Sequence, residues 1–281
     1  MRWIFSLLAI FLLTFGMAHG AIAQTQTPQS QDAKIPVQIA KPLSKVEMQQ
    51  LEDLAKQAFA ATNAGDFPKA ESYWTKMIES FPENAAAWSN RGNAKASQNK
   101  LEAAILDYTQ AIKLAPSATD PYLNRGTALE GLQRWQDAIA DYDRVLALDA
   151  KDAGAFNNRG NAKASLGKWQ EAIEDYQTAT NLDPHFSFVR ANYVQALYQV
   201  GKTDEAIKMM RNILRKYPNF ADVRAALTAA LWQQNKAGEA ESNWVSVESL
   251  DPRYRDLDWV ANTRRWSPAM TTALENFLKL Q

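Results

Sequence analysis

The chain has 281 residues, 31 Lys and Arg against 31 Asp and Glu, 46% hydrophobic residues and no cysteine. Balanced charge argues against electrostatic capture of nucleic acid, and the lack of Cys removes disulfides, thiol nucleophiles, thiolate zinc sites and cysteine-linked lipids. Only His19 and His185 could supply imidazole, so most Ser–His, metal–His and general acid/base schemes lack their parts, and no metal, cofactor or catalytic residue is expected.

Residues 1–23 read as an export signal. Arg2 gives a minimal positive start, no charge occurs from Trp3 to Gln31, and Trp3–Met17 is rich in Leu, Ile and Phe. Ala21-Ile22-Ala23 supplies a small-x-small cleavage pattern before Gln24, with neither a twin arginine nor a lipobox cysteine. The alternative is an uncleaved anchor, because the uncharged run approaches the roughly 20 apolar residues of a membrane span. Residues 24–45, with prolines among many Gln, Thr and Ser, form a linker. As a flexible tether, twenty-one such residues reach about 23 Å.

From 46 to 254 the chain repeats. Ala70, Ala104, Ala138, Ala172, Ala206 and Ala240 recur every 34 residues. Pro82, Pro116, Pro184, Pro218 and Pro252 keep the same interval, broken once by Ala150, and so do Trp74, Tyr108, Tyr142, Tyr176, Met210 and Trp244. Trp88, Tyr122 and Phe156 are each followed four residues later by Gly92, Gly126 and Gly160. In period, small residue, aromatic and terminal proline, this pattern resembles the tetratricopeptide repeat. The resemblance covers about residues 51–254 as six repeats (51–84, 85–118, 119–152, 153–186, 187–220 and 221–254). It implies an all-α, right-handed solenoid of six helix pairs, with residues 255–281 as a C-terminal cap.

Each unit of such a fold is a helix pair that cannot bury its apolar face without a neighbour. The recurring glycines cost roughly 1 kcal/mol of helix propensity each, so their retention implies a tight crossing. Each proline stands where a second helix must stop, and Ala150 predicts a less sharp turn after the third unit. Arg91, Arg125 and Arg159 occur in the three repeats that also carry Asp107, Asp141 and Asp175 sixteen residues on. That co-occurrence predicts structural Arg–Asp pairs between helices, within a repeat or between neighbours, rather than a ligand clamp. In repeats five and six, Arg190 and Arg224 replace the first-helix aromatic.

Function is left to the face lined by first helices. Asn90, Asn124, Asn158 and Asn192 recur at 34 residues, and three positions later come Asn93, Thr127, Asn161 and Gln195. A carboxamide can pair with both N–H and C=O of a peptide whatever its side chains. The resemblance puts these places on the concave groove; in the similar superhelix of the O-linked N-acetylglucosamine transferase, an asparagine ladder grips peptide main chain. The other reading is that these asparagines cap or space helices. Phe188, Tyr198 and Trp232 give the groove an aromatic C-terminal end, able to anchor an apolar side chain or to be buried by the tail. Repeat proteins of this family that clamp acidic chaperone tails use a Lys/Asn/Lys/Arg set. Ser89, Asn93, Asn124, Gly154 and Asn158 stand in those places here, so that role is disfavoured.

In the tail, Ser267-Pro268 reads as a helix start, followed by the apolar face Ala273, Leu274, Phe277, Leu278 and Leu280. Trp259 and Trp266 flank Arg264-Arg265 and either complete this cap or meet a membrane surface or partner. The whole arrangement also resembles exported repeat proteins of cyanobacteria and the chloroplast lumen, which implies a thylakoid lumen or periplasm. The expected function is a non-enzymatic scaffold or assembly factor holding a partner protein or extended peptide, with no nucleic acid partner. A second reading is a membrane-anchored adaptor that binds through its convex face or tail.

Overall fold

A computed structural model describes residues 44–280, so the expected signal and nearly all of the linker lie outside the described residues. These residues form six consecutive antiparallel helix pairs: α1 (Lys45–Asn63) with α2 (Phe67–Ser80), α3 (Ala85–Ala96) with α4 (Leu101–Leu114), and α5 (Thr119–Gly131) with α6 (Trp135–Leu148). There follow α7 (Ala153–Ser165) with α8 (Trp169–Leu182), α9 (Ser187–Gln199) with α10 (Thr203–Lys216), and α11 (Ala221–Gln233) with α12 (Ala237–Leu250). A 3-10 turn (Pro252–Arg255), a π turn (Trp259–Thr263) and α13 (Pro268–Leu278) complete the chain. The helix starts at Lys45, one residue ahead of the expected boundary, because Ser44 and Glu47 form a reciprocal capping box.

Every helix pair turns through a residue in the left-handed region, at Gly65, Asn99, Gln133, Gly167, Gly201 and Asn235. These positions are also 34 apart. Mixed identities, three Gly, two Asn and one Gln, hid the series, although the Gly and Asn members are the residues that tolerate φ near +60°.

Within a pair the helices cross closely. A Cβ built on Gly92, Gly126 or Gly160 would lie 2.6, 2.6 or 2.7 Å from a ring carbon of Tyr108, Tyr142 or Tyr176. Those tyrosines are almost fully buried, so their rings have nowhere to retreat. The arginines then lock the same three units. Arg91, Arg125 and Arg159 each donate through Nε and Nη2 to both oxygens of Asp107, Asp141 and Asp175, at 2.6–2.9 Å. The remaining Nη1 reaches back to the second helix of the preceding unit, at Thr75, Thr109 or Asp143. One side chain therefore joins three helices; the ion pair lies within each repeat, and Arg159 adds a second one to the preceding repeat at Asp143. Hydrogen bonding to Asp141 and Asp175, opposed by burial, raises the affinity of Arg125 and Arg159 for their protons.

Two sequence irregularities have local explanations. The turn at Ala150 is not loosened: α6 stops at Leu148 with the 14-residue length of α8, and the Asp149 N–H still bonds Val145 O. Asp152 caps the next helix through the Ala155 N–H, so the stop is set from both sides without proline. Arg224 keeps a job of the aromatic it replaces. Trp88 Nε1 and Tyr122 Oη donate to the carbonyls of Pro82 and Pro116, and Arg224 Nη2 donates to that of Pro218.

Successive first helices touch one another (α3 with α5, α5 with α7, α7 with α9, α9 with α11), which makes theirs the inner face of the curve. The largest continuous core runs from α8 to α13. Among the described residues no helix is long and apolar enough to cross a membrane.

Gly126→Ala should lose about 1–3 kcal/mol by overpacking against Tyr142, whereas Gly238→Ala, whose Cβ meets nothing within 4 Å, should gain up to about 1 kcal/mol; urea denaturation measures both. Burial also raises the phenol pKa values of Tyr108, Tyr142, Tyr176 and Tyr254 above the usual tyrosine range. The fold thus favours the neutral phenols, a contribution fully present below the unfolded value of about 10 and lost as pH rises through the folded values. Unfolding free energy should fall above about pH 10, and less steeply in Tyr108→Phe/Tyr176→Phe; an equal slope would place the alkaline transition elsewhere.

Candidate functional site

The inner face divides in two. Along α3, α5 and α7 its row of polar side chains is open. Asn93 and Thr127 are exposed, and Asn90, Asn124, Asn158 and Asn161 are half-buried. Asn90 Nδ2 bonds Ala86 O within its own helix. Asn93 and Asn161 each accept the phenol of the packed tyrosine, Tyr108 or Tyr176, at 2.8 Å, which leaves their Nδ2 donors turned to other uses. In the third unit Thr127 stands in place of the asparagine; its hydroxyl donates to Leu123 O, and the Tyr142 phenol donates to Glu130 Oε1. The Asn124 side chain, in the middle of α5, has no hydrogen-bonding partner among the described residues. The row thus bonds within and between the helices through Asn90, Asn93, Asn158 and Asn161.

Asn192 differs. Its Nδ2 donates to both Asn157 Oδ1 and Asn161 Oδ1 at 3.0 Å, and Asn157 in turn donates to Asn158. This knot joins α7 to α9 and consumes the Asn192 donors.

From α9 onward the tail occupies the same face. Helix α13 packs on α11 and also on α9, so the cap lies along the inner side of repeats five and six as well as closing the last unit. Gln195, expected in the groove, is 7% exposed. Its Oε1 accepts the backbone N–H and hydroxyl of Ser267, both at 3.3 Å. One turn on, Gln199 Oε1 accepts the Ala269 N–H at 2.8 Å, meeting one of the orphan amides at the start of α13. Trp232 is likewise covered, its ring edge-on to Phe277 at 5.4 Å, and Tyr198 is half-buried against the same core. Phe188 alone of the three aromatics stays 58% exposed, resting on Phe220. The aromatic end of the groove is thus mostly the seat of the tail.

The tail is held by a residue that no periodicity revealed. Asp222 is 6% exposed, and its Oδ1 accepts from Tyr254 Oη at 2.7 Å, Trp266 Nε1 at 2.9 Å and Arg264 Nη2 at 2.9 Å. Trp266 is therefore internal, and Trp259 is half-buried, edge-on to Tyr254 at 5.2 Å with the Arg253 guanidinium over its ring at 4.6 Å. Arg265, between two ligands of Asp222 or its neighbourhood, sits at φ 57°, a conformation that costs a non-glycine residue about 1–3 kcal/mol. Its side chain crosses to Glu130 Oε2 at 2.9 Å, Ser165 Oγ at 2.7 Å and the Trp135 ring at 4.8 Å. Between this strap and the helices lies a cavity of about 870 Å³ bounded by Thr127, Asn161, Trp169, Phe188 and Asn192. Among the described residues no three His, Asp or Glu side chains are placed to hold a metal ion.

Family models described as tetratricopeptide repeat match residues 85–118, 125–192 and 163–231. No curated protein sequence matches the chain. Among solved structures, the Pseudomonas aeruginosa protein pilF aligns at 16% identity over 74% of this chain and 95% of its own, with a TM-score of 0.65. YrrB, described as a TPR protein with an unusual peptide-binding site, aligns at 22% identity over 64% of this chain and 92% of its own, TM-score 0.53. The MamA protein aligns at 23% identity over 60% and 92%, TM-score 0.55. These likenesses show the fold.

Asp222→Ala should destabilise the protein by about 3 kcal/mol or more, because it leaves Arg264 and two buried donors unpaired. Hydrogen exchange should rise across 254–278 while α3–α6 keep their protection; uniform loss would mean that the tail and repeats unfold as one unit.

Proposed function

Because the chain belongs to the tetratricopeptide repeat family, we propose that it is a non-enzymatic scaffold that holds a partner protein, by an extended segment, in the groove along α3, α5 and α7. One observation carries this reading. In repeat five the carboxamides of Gln195 and Gln199 accept main-chain N–H groups of the tail, and the same face continues past Thr127 and Asn161, which line the cavity under the strap, to Asn158, Asn124, Asn90 and Asn93. The tail supplies an internal example of how this face treats an added backbone. The next stretch has the same chemistry, donor and acceptor on one planar group, able to bond a peptide independently of its sequence.

Sequence choice in such a groove falls to its walls. Trp135 and Trp169 flank the cavity beside Arg265 and Glu130, so an apolar or aromatic partner side chain fits there better than a second unpaired charge. Export to a periplasm or thylakoid lumen is part of the proposal and rests on residues 1–23, outside the described residues. A protein purified from its native host should begin near Gln24 by intact mass.

The test is affinity capture from native soluble and membrane extracts with wild type and with Asn90→Ala/Asn124→Ala/Asn158→Ala. Asn192 is left intact because its side chain bridges α7 and α9. A partner retained by wild type and reduced at least about tenfold in the variant, with unchanged helicity, supports the groove; a tenfold loss corresponds to about 1.4 kcal/mol. Equal retention by both would place binding on another surface.

A further inference from the structure

Repeats two to four fill the cleft between consecutive units with the Arg–Asp pairs described above. Between repeats five and six that filling is missing. At the places of the arginine and aspartate stand Leu227 and Asn243, and a cleft of about 670 Å³ opens between α10 and α12 over α11. It lies apart from the groove lined by first helices.

Its charge is one-sided. Lys208, Arg211, Arg215, Arg224 and Lys236 line it, against Asp204 and Glu239. Both carboxylates are engaged, Glu239 by Arg211 and Asp204 by the Gln234 amide. Among the described residues nine arginines form an ion pair with a carboxylate; Arg144, Arg190, Arg215 and Arg224 do not. Two of those four are in this cleft. Arg215 donates only to the neutral Asn212, Arg224 to Asn243 and the Pro218 carbonyl, and Lys236 to Gln234. Lys208 is exposed and has no partner among the described residues. Ile207, Leu214 and Leu227 give the cleft an apolar floor.

We propose that this cleft between α10 and α12 is a second docking site, for an acidic peptide segment that alternates carboxylates with apolar side chains. Carboxylates would meet Lys208, Arg215 and Lys236 around the rim, and one or two apolar side chains would cover Ile207, Leu214 and Leu227. Charge complementarity selects the occupant: a chain with no net charge collects unpaired cations at one recess, where a peptide can be partly desolvated and the attraction is screened less than on an open surface. A bilayer is a poorer fit, because the apolar floor lies inside a cleft and a flat lipid surface would reach only the rim.

The experiment uses the full chain and a fluorescent N-acetylated hexapeptide of alternating Glu and Leu, titrated by anisotropy at low ionic strength. Saturable binding is expected, weakened at least about tenfold in Lys208→Glu/Arg215→Glu and by a smaller factor in Lys208→Ala, a change to an exposed side chain that cannot threaten folding. The Asn90→Ala/Asn124→Ala/Asn158→Ala protein should bind as wild type does, so failure here is separate from failure of the groove reading. The proposal is overturned if no saturable binding occurs, if a Lys and Leu hexapeptide binds equally well, or if the charge-reversed protein keeps wild-type affinity. Selective binding to phosphatidylglycerol vesicles, lost with the same substitutions and without peptide binding, would replace the peptide by a membrane surface.

Discussion

The contact on which the solenoid rests is that of a tyrosine ring lying against a glycine Cα, at a separation where a Cβ would be 2.6–2.7 Å from the ring. This closeness sets the distance between the helices of repeats two to four. It brings Arg91, Arg125 and Arg159 within two-pronged reach of their aspartates. It also puts the phenols where they can bond Asn93, Glu130 and Asn161 on the inner face. Packing, charge pairing and the polarity of the groove are therefore consequences of one crossing. Glycine has a cost in helix propensity that is offset by the burial of a whole aromatic ring.

Where the Gly–Tyr and Arg–Asp sets end, the architecture changes. Repeats five and six carry Val194 and Thr228 in place of the glycine and build a larger apolar core that includes the tail. Terminal units of a solenoid must cover a face that has no next repeat, and here the cover returns along the inner side. Asp222, bound by groups from Tyr254, Arg264 and Trp266, fastens it, and Arg265 extends the strap toward α5 and α7. The inner surface is thereby divided into an occupied C-terminal half and an open N-terminal half. The loss of the Arg–Asp filling also opens the cationic cleft between α10 and α12.

Much of this was legible in the residues. A period of 34 with small, aromatic and proline positions in fixed phase determines a helix pair and its stacking, because each position answers to contacts inside one unit or with the next. The sixteen-residue offset between Arg and Asp was readable for the same reason, as was the Ser267-Pro268 start of α13. The left-handed turn positions were present but masked by varying identity, and Ala150 misled because a helix can stop on caps alone, without proline.

Everything that recurs could be read from the residues alone: the helices, their pairing, the tight crossings and the polar row on the first-helix face. Which parts of that row stay uncovered depends on the folded chain. Gln195 and Trp232 look like groove positions in every local respect, yet they are covered by residues about 72 and 45 positions away in the chain. A repeat reports contacts that recur, and the return of a tail along the inner face happens once. Nothing in a 34-residue register could announce Asp222 as its anchor, since the burial and the three donors that define its role exist only when the segment has folded back.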